Sequence, residues 1–466
     1  MTTTTTTPAR LTAEWFKLGA IIFTTFLVCW TIAIWYWHQV DRSPGTVELA
    51  FALLILPVGI LLAFWGGSKA VAARTALIPA SAPKPATASA RADAMSATPI
   101  LAIVGTALRS PYGTSADELA SAIADNEARA DLDKELVDDN GFPVMAARCD
   151  DAQDDMLQDE IAEWLASQGM QLHLIEEQWR ALILATGITA ELASQAASEL
   201  MPSEGNPPTL QLALLLPDEW ALDVRRAASS WLKHTVSQYG WPEANITLQE
   251  AKEGDKATPT ALLVELMPGS SSANKPLVGL VIACASLIGQ ESVDRLAAQS
   301  ALFTSSQARG QVPGEGAAGL LLTDQQLAQS SGSEFALLGP LSERRRDSSA
   351  DEARRVDSAL LLEMTDQVLK IAGMELTRID MVVADTAHRP NRVLELMGLS
   401  APTIPQVDAA DDIVRIGLGS GSCGAVPFVT VLALARHYAF ERGAPVLCIG
   451  NEDPYVRSAA LVRPPA

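Results

Sequence analysis

The chain opens with two long apolar runs almost free of charge, and then alternates strand-length and helix-length patterns to its end. From Trp15 to Trp37 it reads "WFKLGAIIFTTFLVCWTIAIWYW", with a single charge, Lys17, near the start. About twenty apolar residues in a helix cross a hydrocarbon core of roughly 30 Å. Trp30, Trp35, Tyr36 and Trp37 suit an interfacial aromatic belt at the far end. A second run, Val47–Gly67, follows the turn "HQVDRSPG", and its Pro57 is tolerable in a membrane helix. The pair predicts a transmembrane helical hairpin over 15–67, behind a cytoplasmic N-terminal tail at 1–14. The first span is too long for a cleaved signal peptide, and a second follows at once. Arg10 and Lys17 precede the first span, Lys69 and Arg74 follow the second, and the turn carries only Arg42 beside Asp41. The positive-inside rule then puts both ends in the cytoplasm, so the expected location is a bacterial inner membrane, multi-pass, with a cytoplasmic soluble part. Residues 68–98, rich in Ala, Pro and Ser, read as a linker that cannot bury a core.

Past Pro99, strand-length apolar runs fall at 99–107, 210–217, 276–286 and 316–324, and again at 334–341, 379–387, 413–419, 445–452 and 458–464. Helical periodicity falls at 115–126, 223–236, 350–373 and 425–443, with a further helix at 258–269. Near-continuous apolar strands between helices predict a buried, largely parallel sheet covered on both faces. The order of elements is similar over 99–330 and 331–466, which suggests an internal duplication. The acidic run Asp150–Trp164 reads as a solvated helix face.

Composition narrows the function. With 466 residues, a net charge of −21 and 48% hydrophobic residues, the chain has no basic surface for nucleic acid. Cys29, Cys149, Cys284, Cys423 and Cys448 lack C-x-x-C spacing, which argues against a zinc site or a disulfide framework and suits a reducing compartment. The five histidines are also dispersed. No metal and no cofactor is expected.

The segment "GSGSCGAVPFVTVLALARHYAF" (419–440) raises sharper questions. Gly419, Gly421 and Gly424 spell G-x-G-x-x-G between a strand and a helix, the outline of a dinucleotide loop with Glu452 as a ribose ligand. Ser422 and Cys423 place two candidate nucleophiles at the same turn.

Several stretches together resemble the β-ketoacyl synthase branch of the thiolase-like superfamily. They are "ILAIVGTALRSPYGTSADELASAIADN", "GFPVMAAR" (141–148) and the signature "PGEGAA" (Pro313, Gly314, Glu315, Gly316, Ala317, Ala318). "IDMVVADTAHRPNRVLEL", the "GSGSCGA" loop and "PVLCIGNEDPYVRSAALV" then follow in the family's order, so the resemblance covers about 99–466. It implies an α/β duplicated fold: two pseudo-equivalent mixed sheets with helices between and outside. It also implies dimers, homo- or heteromeric, through an edge strand. "PGEGAA" and the order of the second half fit no Rossmann domain, which weakens the dinucleotide reading.

Active members use a cysteine at the start of a buried helix, two histidines and, in several cases, a lysine. The corresponding helix here begins Ala257, Thr258, Pro259, without cysteine. Cys284, in "ACAS", falls on the later strand and reads as a small core residue. His388 lies within one position of the first histidine's register, and Ser422 stands where the second is aligned. Weak candidates for catalysis are therefore Cys423, His388 and Ser422, with Cys423 in a turn before a helix, a place that can lower a thiol's pKa.

The resemblance with its defects implies a catalytically inactive, membrane-tethered ketosynthase-like protein. Its expected role is that of an adaptor or scaffold with protein partners at the cytoplasmic face, including type VI secretion effector loading. The alternative is enzymatic: a polyketide or fatty-acid pathway protein, either an acyltransferase using Cys423 or a chain-length-factor-like partner of an active synthase. A third reading is a sensor that binds an acyl chain, and an acyl carrier protein enters as a partner in the enzymatic reading.

Overall fold

All nine residues of Val278–Ser286 are buried, so this strand needs cover on both faces. The computed structural model describes residues 100–202, 207–249, 258–270, 276–352, 355–404 and 406–465. The tail, hairpin and linker expected over 1–98 lie outside these residues. Among the described residues no helix is long and apolar enough to cross a membrane.

The first half runs β1 (Leu101–Arg109), α1 (Ala116–Ala124), a hairpin of β2 (Asp131–Val137) and β3 (Pro143–Ala146), α2 (Asp155–Ser167), α3 (Glu176–Leu200), β4 (Leu210–Leu215) and α4 (Leu222–Gln238). It continues with β5 (Ile246–Gln249), α5 (Pro259–Ser270), β6 (Val278–Ser286), α6 (Gln290–Ala298), β7 (Glu315–Asp324) and α7 (Gln325–Ser331). The second half is β8 (Ala336–Arg345), α8 (Ala359–Ala372), β9 (Met381–Ala384), α9 (Pro390–Thr403), β10 (Ile413–Arg415), a one-turn helix (Gly417–Ser420), α10 (Val426–Arg442), β11 (Val446–Gly450) and β12 (Val456–Arg463).

The strand order is β10-β9-β11-β12-β8-β1-β7-β6-β4-β5. Numbered within its own half, each set of five reads 3-2-4-5-1. In both sets the 3-2 and 2-4 pairs are parallel and the 4-5 and 5-1 pairs antiparallel. The halves meet where β1 pairs with β8 over only three residues, Leu101↔Leu338, Ala102↔Leu337 and Ile103↔Ala336. The chain is thus a duplicated α/β fold whose two mixed sheets join edge to edge. It is not largely parallel: continuous burial by helices, not strand direction, makes these strands apolar throughout.

Alternation along the strands sorts the core into layers. Leu101, Ile103, Val281, Ala283, Leu320 and Leu322 face one core together with Val383, Val446 and Val462 from the other half, and α5 and α10 fill it. Ala102, Val104, Leu280, Ile282 and Leu321 face an outer core under α3 and α4. Val382, Leu447 and Leu461 face the opposite outer core under α8 and α9. Helix α10 is buried nearly all round, as a helix between two sheets must be.

Three differences from the sequence expectations have local causes. Helix α3, which no pattern above anticipates, is buried on most of its circumference, so its "ALILATGI" carries no clear amphipathic stripe. The helix expected over 350–373 starts at Ala359. Asp357 caps its N–H, while Asp351 is held by Arg389 and Arg392. The strand expected over 413–419 stops at Arg415 because the chain turns at Gly417, where a Cβ would collide with the Asp385 carbonyl oxygen.

Buried Glu315 at the start of β7 organises the first half. Its carboxylate accepts hydrogen bonds from Arg180 Nε of α3 (2.8 Å), the Cys149 N–H (2.8 Å) and the Ser286 hydroxyl (2.8 Å). Removing one partner of such a pair strands a buried charge. Arg180→Leu is therefore expected to cost about 3–5 kcal/mol in urea unfolding, and the double variant Arg180→Leu/Glu315→Leu to recover most of the loss.

Candidate functional site

Both glycine-rich signatures converge on one place. Ser422 N–H donates to the Val312 carbonyl (2.8 Å), and Gly314 N–H donates to the Ser422 carbonyl (3.2 Å). A Cβ on Gly314 would collide with the Ser420 carbonyl oxygen, and Gly421 combines a φ of +59° with a close approach to the Val312 carbonyl. Glycine is required at both positions because backbone runs directly against backbone there.

Beside this contact lies a cavity of about 300 Å³. The ends of β4, β6, β9 and β11 contribute Leu215, Ala285, Asp385 and Gly450, and the N-termini of α5 and α10 contribute Thr258, Pro259, Ala425 and Phe428. The site therefore sits at the carboxyl ends of the parallel strands of both halves, where α/β sheets commonly bind ligands.

Each sequence candidate can now be placed. Cys423 and Ser422 line the cavity, as does Cys284. The Cys423 side chain is buried and its thiol donates to the Ser420 carbonyl (3.5 Å). Burial, reinforced by the Glu315 charge, pushes that thiol up to about 12, and burial alone does the same to Cys284. Burial thus opposes the activation that the position of Cys423 suggested.

His388 does not line the cavity. It packs edge-on against Phe303 (ring centroids 4.7 Å apart), burial holds its pKa below the usual value, and its Nε2 has no partner among the described residues. Thr258, at the start of the buried helix, uses its hydroxyl to accept from the Ala261 N–H (3.2 Å), the work of a helix cap. Glu452, the ribose ligand of the dinucleotide reading, is committed to Arg389 Nε (2.8 Å) and the Ala387 N–H (3.0 Å). That engagement and the 3-2-4-5-1 order overturn the dinucleotide reading. Among the described residues, no group of three or more His, Cys, Asp or Glu side chains is arranged to hold a metal.

Sequence reasoning missed Asp385 and Arg389. Asp385 follows β9 inside the cavity, and its Oδ1 accepts from the N–H groups of Asn451 (2.8 Å) and Glu452 (3.1 Å). Burial and the nearby Glu452 charge raise its pKa to about 7, against opposing hydrogen bonds and Arg457. The available signal was a lone carboxylate just beyond an apolar strand, "MVVAD".

No family model matches the sequence, and no curated protein does. Solved structures match the fold. A ketosynthase from module 6 of the bacillaene synthase of Bacillus subtilis 168 superimposes with a TM-score of 0.57 at 12% identity, covering 79% of this chain and 72% of that one. A type II polyketide ketosynthase, solved with its acyl-carrier protein and bound to the hexaketide, gives 0.56 at 14% identity, covering 79% and 100%. The ishigamide ketosynthase/chain length factor gives 0.50 at 16% identity, covering 78% and 99%. The chain thus has a ketosynthase-like, thiolase-like fold.

A carboxyl group whose pKa is raised by folding stays protonated in the native state while its unfolded counterpart ionises. Stability from this source is fully present below about pH 4 and is lost as pH rises towards about 7. Asp385→Asn should flatten the fall in unfolding free energy between pH 4 and pH 7 by a few kcal/mol in urea titrations at stepped pH, a tenfold change in proton affinity being worth about 1.4 kcal/mol.

Proposed function

We propose that this protein is a ketosynthase-like protein of a polyketide or fatty-acid setting that does not condense acyl groups, and that its cavity binds without reacting. One observation carries the reading: the thiols lining the cavity are buried, Cys423 donating to the Ser420 carbonyl, and no imidazole lines it among the described residues. Condensation needs a thiolate to take the acyl group and a neighbouring base or oxyanion donor. Thr258 as a helix cap and Cys423 bonded to a carbonyl supply neither.

In this reading the protein serves as an adaptor, anchored in the inner membrane by the 15–67 hairpin with residues 99–466 in the cytoplasm. It would recruit protein partners to an assembly on that face, type VI secretion effector loading among them. A second reading is favoured by the likeness to the ishigamide ketosynthase/chain length factor, which is matched over 99% of its chain. There the protein is the non-reacting member of a heterodimer with an active synthase, and an acyl carrier protein docks on the pair.

The test is intact mass of the full-length protein after incubation with acyl-thioester donors, beside a Cys423→Ala control. The expected result is no adduct on folded protein. An adduct lost in the control would sink the reading and make the protein an acyltransferase through Cys423.

A further inference from the structure

The cavity's charge is lopsided. Asp218, Glu219, Asp385, Glu452 and Asp453 line it, against Arg389 alone. That guanidinium is already engaged: Nε donates to Glu452 Oε1 (2.8 Å), Nη1 to Asp351 (3.1 Å) and Nη2 to the Glu452 carbonyl (2.6 Å). No uncommitted cation therefore lines the cavity among the described residues. A carboxylate or phosphate ligand would be desolvated against several like charges with no counter-ion to offset the loss of water.

Asp385 gives this polarity a focus. It is 9% exposed, and Oδ1 alone carries its two hydrogen bonds, from the N–H groups of Asn451 and Glu452. Among the described residues Oδ2 accepts no hydrogen bond, and it is not sealed from solvent, so it is open to a ligand. Leu215, Ala285, Leu287, Pro427 and Phe428 give the wall an apolar stretch beside the uncharged Thr258, Gln311, Ser422 and Ser458. A volume of about 300 Å³ suits a small ligand with an apolar body.

We propose that the cavity is a binding site for a cationic amphiphile, an organic amine whose ammonium group pairs with Asp385 Oδ2 while its apolar part lies against Leu287 and Phe428. The inference rests on the reading that the cavity binds without reacting, and it replaces a neutral or anionic acyl chain by a cation as the preferred occupant. The exposed Asp218 and Glu219 flank the mouth and favour entry of positive charge.

The test uses three ligands of one shape, benzylamine, benzyl alcohol and benzoate, titrated calorimetrically into the full-length protein above pH 7, where the Asp385 carboxyl is ionised, with detergent-only blanks. Benzylamine should bind at least about tenfold more tightly than benzyl alcohol, and benzoate should give no binding. Asp385→Asn should abolish the preference for the amine over benzyl alcohol. Should Asp385→Asn fail to fold, Asp218→Asn/Glu219→Gln, on an exposed loop, should still cut the preference about threefold. Equal affinities, a preference for benzoate, no binding of any ligand, or an amine preference that survives in the folded variant would overturn the proposal. An acyl adduct in the intact-mass assay would instead sink the underlying non-reacting reading, and the two failures are told apart because titration detects binding without chemistry.

Discussion

The carboxylate of Glu315 is the constraint on which the rest depends. It is buried, so it has to be paired, and its partners come from α3, from the end of β6 and from the segment after the β2–β3 hairpin. Fixing it fixes the loop before β7, which lets Gly314 lie against the Ser420 carbonyl and brings the two halves into backbone contact. The cavity exists because that contact holds the "GSGSCGA" turn over the ends of β4 and β6. The same carboxylate, second to burial, raises the pKa of Cys423 and of Cys149. The interaction that shapes the site thereby helps to withhold a thiolate from it.

Duplication explains where the cavity falls. Helices α5 and α10 occupy equivalent places in the two halves, each following strand 3 and leading into strand 4. Both begin at the cavity, one at Thr258 and Pro259, the other at Ala425 and Val426. Equivalent strand ends bring Leu215 and Asp385, and again Ala285 and Gly450, to the same space. A pseudo-symmetric pair of helix N-termini favours negative charge, and in this chain the nearby carboxylates already supply it.

Much of this was legible in the sequence, and what was not has a physical cause. The strands of the second half and the "PGEGAA" turn stood out because apolar runs and paired glycines are local signals. Helix α3 did not, since a helix buried nearly all round has no stripe to read. The extent of the antiparallel pairing was hidden because burial on two faces erases the period-2 alternation. At the site, Ser422 and Cys423 could be found from a turn before a helix, and both do line the cavity. Their reactivity could not be read, because desolvation is set by residues far away in sequence, Glu315 among them. His388 lay one position from a catalytic register, yet its ring turns to Phe303 instead. Asp385 and Arg389 acquire their meaning only when β9 and β11 bring Glu452 beside them.

On the proposed non-reacting reading, the fold is under no obligation to keep a polar cavity. Replacing Asp385 by an apolar side chain would remove the desolvation that now pushes its carboxyl up to about 7. Instead the chain retains a carboxylate whose hydrogen bonds all fall on Oδ1, and commits Arg389 to Glu452 and Asp351 rather than to it. A buried acid without a counter-ion costs stability, and nearby Arg457 is itself committed to Glu395. Costs of this kind concentrate at functional sites. On the proposed reading, the carboxylates that line the cavity suit a cationic occupant. On the proposed readings, the absence of condensation and the preference for a cation are two consequences of one electrostatic arrangement.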